Sequence, residues 1–229
     1  MDSASIKNFS SIVLYSDNHL LALNKEAGLL TQTAEDGRQS LEDMAKAWIK
    51  ETCKKPGNVF LHSVHRLDRI VSGVVLFART GKALSRLNSE MRERKIKKTY
   101  LAIVSPPPEI QSGELRHFLS HGSHTAKITA KGAPGAKEAV LHYKTLSRSG
   151  NFSMIEVILE TGRYHQIRAQ LAAIGSPIAG DTRYGSRVTT PGDNILLHHS
   201  RMELTHPVTG QELSIEAPLP LNWKDYAVK

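Results

Sequence analysis

His65-Arg66-Leu67-Asp68-Arg69 sets one carboxylate between two guanidinium groups, just ahead of Ser72-Gly73 and the apolar run 74–78. Adjacent positive charge favours the ionised form of an acid, so Asp68 is expected to be a carboxylate at neutral pH. Held that way it can attack an electrophile or take up a proton, but it is a poor proton donor. On its own, Arg-Leu-Asp reads rather as a structural ion pair in a loop. The second informative stretch is Thr161-Gly162-Arg163-Tyr164-His165-Gln166-Ile167-Arg168. Ile167, Leu171 and Ile174 make a helical face there, Gly175 is a C-cap and Pro177 stops the helix. Arg168 lies one turn in, placed to leave the helix and meet a carboxylate elsewhere. The third is residues 81–100, with seven basic side chains against two acidic ones, ending on Tyr100. A basic run is usually a solvated face. Positive charge beside a stacking ring suits single-stranded nucleic acid.

The elements that must position these residues can be read around them. Residues 11–15 and 19–23 are short apolar runs flanking Asp17-Asn18, a hairpin pattern. Ser40 with Asp43 three residues on opens a helix as a capping box, and Leu41, Met44, Ala45, Trp48 and Ile49 form its apolar face. Residues 60–64 and 73–79 read as strands, the second buried on both faces because its apolar run does not alternate. Thr80 caps a helix that turns Leu84, Leu87 and Met91 inward. Strands are expected at 101–104, 138–147 and 152–160, and strand-like pieces at 195–199, 201–205 and 212–217. The fold class is therefore α+β: one domain over residues 1–229, with a mixed, largely antiparallel central sheet and flanking helices.

Composition narrows the functional classes. The 229 residues are 40% hydrophobic, enough for one medium-sized core, and 30 basic against 22 acidic side chains give a formal charge of +8. That surplus favours a polyanionic partner. The single cysteine, Cys53, excludes an intrachain disulfide or a multi-thiolate metal site. No apolar run approaches the ~20 residues of a membrane-crossing helix, and residues 1–10 lack the apolar stretch of a signal peptide; a cytoplasmic location is expected. There is no phosphate-binding Gly-rich loop, dinucleotide fingerprint or Gly-x-Ser-x-Gly elbow. His117, His121 and His124 lack a supporting carboxylate cluster, so a solvated or nucleic-acid-facing loop is favoured over a metal site. Arg66 and Arg69 argue against a cation beside His62, His65 and Asp68. Glycosidases generally flank the scissile bond with two carboxylates, whereas these stretches offer one acid among arginines. The expected chemistry uses one ionised acid, with no metal and no organic cofactor.

Several motifs occur together in one order: Leu23-Asn24-Lys25-x-Ala27-Gly28, His65-Arg66-Leu67-Asp68, Lys98-x-Tyr100-x-Ala102-x-Val104, Thr161-Gly162-Arg163-x-His165-Gln166-Ile167-Arg168, Gly180-Asp181-x-x-Tyr184-Gly185, Leu197-His198 and His206-Pro207. In this the chain resembles the RluA-type pseudouridine synthases over about residues 12–217, without an N-terminal S4-type domain. The resemblance implies isomerisation of specific uridines in ribosomal or transfer RNA. It also implies Asp68 as the catalytic carboxylate, Arg168 as its ion-pair partner, Tyr100 stacked on the target uracil and Arg66 holding the extruded base. A closed apolar pocket would keep detached uracil in and water out, with Ile167 and Leu197 as wall candidates, though both suit a core nearly as well. The expected partner is RNA, with no DNA and no membrane, and the expected state is a monomer. Val71 stands where the family usually has Thr, Tyr164 where a small hydroxyl residue is usual, Glu26 for a common Pro and His199 for a common Ala. Two other readings stay open from sequence: a weakly active or inactive RNA-binding assembly factor on the same fold, and hydrolysis of a nucleoside N-glycosidic bond.

Overall fold

A computed structural model describes residues 8–33 and 37–226. The chain divides into two compact units, one of residues 1–96 with 201–218 and one of residues 97–200 with 219–229.

In the first unit, β1 (Val13–Ser16) and β2 (Leu20–Lys25) form the expected antiparallel hairpin. Asp17 makes its turn. One carboxylate oxygen accepts the His19 and Leu20 N–H groups at 2.7 and 2.6 Å, and the other bonds Tyr15 Oη and His206 Nε2 at 3.1 and 2.8 Å. β2 then pairs antiparallel with β4 (Ser72–Ala78), from Leu20 opposite Ala78 to Lys25 opposite Gly73. This register sets the end of β2 beside the start of β4, where the Asp68 loop comes in. All seven β4 residues are buried, as an apolar run without alternation requires. β3 is only His62–Ser63, shorter than expected, and pairs with Ala78 and Phe77. Helix α1 (Leu41–Thr52) starts on the capping box: Ser40 Oγ accepts the Asp43 N–H and Asp43 accepts the Ser40 N–H. Helix α2 (Gly81–Arg92) starts on Thr80 and buries Ala83 and Leu87. They pack with Leu20, Ala22, Val74 and Leu76, and with Met202, Leu204 and Ile215 from the later hairpin. That hairpin joins residues 201–205 of β10 (Leu197–Thr205) to β11 (Glu212–Glu216).

The second unit runs β5 (Lys97–Val104), β6 (Ser112–His121), β7 (Ala126–Thr129), β8 (Lys137–Ser149) and β9 (Phe152–Leu159). They pair antiparallel as β5-β9-β8-β6-β7. Helix α3 (Gln166–Ala173) is buried from Gln166 through Leu171, rather than along one face. A helix covered nearly all round must satisfy its polar side chains internally. Gln170 Nε2 donates to Leu115 O, Ala139 O and His117 Nδ1 at 2.9, 3.2 and 3.0 Å, which ties α3 to β6 and β8. The chain is α+β, with largely antiparallel strands and a few helices.

Candidate active site

Asp68 lies in the loop before β4 and is half-buried, while Arg66 and Arg69 are exposed. Both residues that flank Asp68 are pinned by the loop after β2. Thr31 Oγ1 donates to Leu67 O at 3.0 Å and accepts the Leu67 N–H at 3.2 Å. The Gly28 N–H and Lys25 Nζ both donate to Arg69 O, at 2.7 and 3.1 Å. The Val71 N–H closes a turn on Asp68 O at 3.0 Å. The main chain on either side of Asp68 is therefore fixed from one neighbouring segment, whatever the surface arginines do.

Lys25 is the cation that sequence reasoning did not assign. It is fully buried, and its Nζ donates to three carbonyls, Glu26, Leu29 and Arg69, at 3.0, 2.8 and 3.1 Å. Burial pushes its pKa down to about 7; the Asp68 charge pulls it up and the Arg69 charge lowers it further. A lysine buried in the fold is thus an electrostatic neighbour of Asp68, in addition to the arginines next to it in sequence.

In the second unit Arg168 is 2% exposed and held by side chains. Its Nε and Nη2 donate to the two oxygens of Asp181 at 2.7 and 2.9 Å, a bidentate pair. Its Nη1 lies 2.8 Å from His165 Nε2. A guanidinium can only donate, so Nε2 accepts and the imidazole carries its proton on Nδ1, which meets Tyr184 Oη at 2.9 Å. Tyr184 also accepts the Ala126 N–H at 2.7 Å, and its ring centroid lies 4.9 Å from the Arg168 guanidinium carbon. Burial pushes the Tyr184 phenol up.

Local sequence explains these placements. Thr161 Oγ1 accepts the Val140 N–H at 2.8 Å and donates to Gln166 Oε1 at 2.8 Å, and Gln166 Oε1 also takes the Arg163 N–H at 3.0 Å. That closes the loop and turns His165 into the left-handed region, at φ 50°, before α3 begins. Asp181 follows Gly180, at φ 88°, where a Cβ would sit 2.5 Å from Asn194 O; only glycine fits. Asp181, His165 and Tyr184 all stand in the ordered motifs, but spacing alone assigned them no role.

Of the expected substrate-binding residues, Tyr100 is 7% exposed, and its ring stacks on His199 at 4.5 Å and 16°. One ring face is thus taken by the imidazole. Ile167 and Leu197 are buried at 5% and 4% exposure. Lys98, two residues before Tyr100 on β5, brings its Nζ to within 3.5 Å of where a Cβ on Gly162 would lie, and burial lowers its pKa. Asp68 and Arg66 share the loop of the first unit; Tyr100, Ile167, Arg168 and Leu197 belong to the second. Among the described residues no three His, Cys, Asp or Glu side chains are grouped to hold a metal ion. Among the same residues, no helix is long and apolar enough to cross a membrane.

Residues 19–173 match the family model for RNA pseudouridylate synthase. The chain is 33% identical over 224 residues to a Bacillus subtilis protein described as uncharacterized RNA pseudouridine synthase YhcT, covering 93% of this chain and 70% of that one. It is 34% identical over 223 residues to ribosomal large subunit pseudouridine synthase C of Escherichia coli, covering 92% and 67%. The solved structure of human RNA pseudouridylate synthase domain containing 4 shares the fold, with a TM-score of 0.81 at 21% identity over 96% of this chain and 93% of that one. These likenesses favour the enzyme over an inactive assembly factor. The chain belongs to the RNA pseudouridylate synthase family, and its reaction is the isomerisation of uridine in RNA to pseudouridine.

Proposed function

We propose that this enzyme acts on ribosomal RNA and that Asp68 is the carboxylate on which the isomerisation depends. The observation that supports Asp68 most is its mounting: the main chain on both sides of it is bonded to residues 25–31, and a buried lysine shares its electrostatic field. Ribosomal RNA is favoured because a relative 34% identical is named for the large ribosomal subunit.

In the reaction the N1–C1′ bond breaks, the uracil turns in place, and C5 bonds to C1′. The proton lost from C5 is balanced by one gained at N1, so no cofactor is required. An ionised Asp68 serves either route to bond cleavage, attack on C1′ or removal of a sugar proton. Arg168 is proposed as its ion-pair partner, Tyr100 as the ring on the target uracil, and Arg66 as the group that holds the base out of the helix. Ile167 and Leu197 would wall the pocket. The whole of residues 1–229 would act as one catalytic domain, as a cytoplasmic monomer.

The test is a pseudouridine map of ribosomal RNA from cells lacking the protein, complemented with wild type or Asp68→Asn. One or more sites should vanish, return with wild type and stay absent with Asp68→Asn. An unchanged map would overturn ribosomal RNA as the substrate. Restoration by Asp68→Asn would overturn the role of Asp68.

A further inference from the structure

Tyr164 lines a cavity beside the Arg168 cluster. The residue is 40% exposed. It stacks on His165 at 3.8 Å and 19°, and the His121 ring lies 4.3 Å away at 38°. Through His165 this column of rings ends on Arg168 Nη1. Beside it opens a cavity of about 200 Å³ lined by His121, Gly135, Lys137, Gly162, Arg163 and Tyr164, among others.

The charge around this cavity has one sign. Residues 119–137 hold Lys127, Lys131, Lys137, His121 and His124 and no carboxylate. The next acid, Glu138, is engaged by Arg116 Nη1 at 2.9 Å. Arg163 is anchored through Nε to Glu138 O at 2.9 Å, which fixes its side chain while its two terminal nitrogens remain suited to an anion. Aromatic rings beside an ammonium and a guanidinium, around a space of this size, match one unpaired nucleotide: rings for the base, cations for the phosphate.

We propose that Tyr164, His121, Lys137 and Arg163 form a subsite for one unpaired nucleotide flanking the target uridine. Lys137 and Arg163 contact its phosphate, and its base stacks on the outer face of His121, which Tyr164 backs from the other side. That the nucleotide flanks the target rests on Arg168 belonging to the active site; the subsite itself rests only on the cavity.

The experiment measures binding of fluorescein-labelled decauridylate by anisotropy over a salt series. Tyr164→Ser and His121→Ala should each weaken binding by roughly tenfold, within the range for loss of one stacked base, with the salt slope unchanged. Lys137→Gln should lower the slope of log K against log salt by about 0.7, the value for one phosphate contact on a single strand. Tyr164→Phe should bind like wild type, which separates loss of the ring from misfolding. Tyr164→Ser and His121→Ala that bind like wild type, or Lys137→Gln with an unaltered slope, would overturn the subsite. Asp68→Asn serves as the control for the catalytic reading: it should bind decauridylate normally while forming no pseudouridine, and activity in that variant would overturn the role of Asp68 without touching the subsite.

Discussion

Lys25 and Arg168 are both buried cations, one in each unit, and they are satisfied by opposite kinds of partner. Lys25 donates to three main-chain carbonyls, from Glu26, Leu29 and Arg69. Arg168 donates to side chains, the Asp181 carboxylate and the His165 imidazole. A carbonyl cage depends on backbone shape, so the identities of residues 26, 29 and 69 matter little to it. A side-chain clamp depends on those identities and fails when any one changes. The first arrangement suits a residue whose task is to hold a loop in place around Asp68. The second suits a group that must itself be aimed.

The largest expected effect tests the clamp. Asp181→Ala leaves the buried guanidinium without its bidentate counter-ion. Breaking a buried pair from one side costs about 3–5 kcal/mol, to be read from urea unfolding. A loss below about 1 kcal/mol, the scale of an exposed pair, would mean that Asp181 does not carry the Arg168 charge.

The cage is tested next. Lys25→Met removes a donor from the Glu26, Leu29 and Arg69 carbonyls; Arg69 O keeps the Gly28 N–H, and an acceptor left unsatisfied away from water costs about 1–3 kcal/mol. The net loss should be about 2–4 kcal/mol after relaxation of the loop. Glu26→Ala should stay within about 0.5 kcal/mol of wild type, because only its main chain is used. Equal losses in the two variants would erase the distinction between cage and clamp.

Lys25 also gives the first unit a pH signature. Its folded pKa is about 7 and its ordinary value is 10.5. Between those values the unfolded chain binds a proton that the folded chain does not, so stability rises with pH across that window and levels off above it. Burial is the cause, and Asp68 opposes it. Unfolding free energies measured from about pH 7 to about pH 10 should climb for the wild type, and the climb should shrink in Lys25→Met. An identical pH dependence in the two proteins would remove Lys25 as its source.

The same contrast explains what was legible in the sequence. Features made by side-chain pattern were readable. Ser40 and Asp43 marked the start of α1, Thr80 the start of α2, and the run Val74-Val75-Leu76-Phe77 announced a strand buried on both faces. The motifs also placed Asp68 in a loop and Arg168 near the start of a helix. Lys25 stands within a motif yet had no assigned role, because carbonyl acceptors leave no mark on residue type. Asp181 likewise stands in a motif, but a helix residue and a loop residue meeting 13 positions apart have no periodic signal. The strand expected over residues 60–64 shrank to His62–Ser63, since Phe60 is exposed and packs its edge on His62 instead of extending the pairing. Residues 195–199 and 201–205 read as two pieces around Ser200, yet β10 runs through it, with the Ser200 hydroxyl donating to Thr99 O at 3.1 Å.

The smallest effect asks whether Tyr100 is aimed as Arg168 is, by a specific side chain. His199 lies flat against the Tyr100 ring at 4.5 Å. Stacked rings contribute about 0.5–1.5 kcal/mol beyond their buried area, so a cycle of Tyr100→Leu, His199→Ala and the double variant should show a coupling of that size in unfolding free energy. A purely structural pair would show only that. If the imidazole also sets the plane on which uracil stacks, His199→Ala should raise KM for the RNA substrate while kcat for correctly bound RNA falls less. That outcome would class Tyr100 with Arg168, as a residue positioned by the identity of its neighbour. A coupling near zero would class it with Lys25, as a residue held by the strand it stands on.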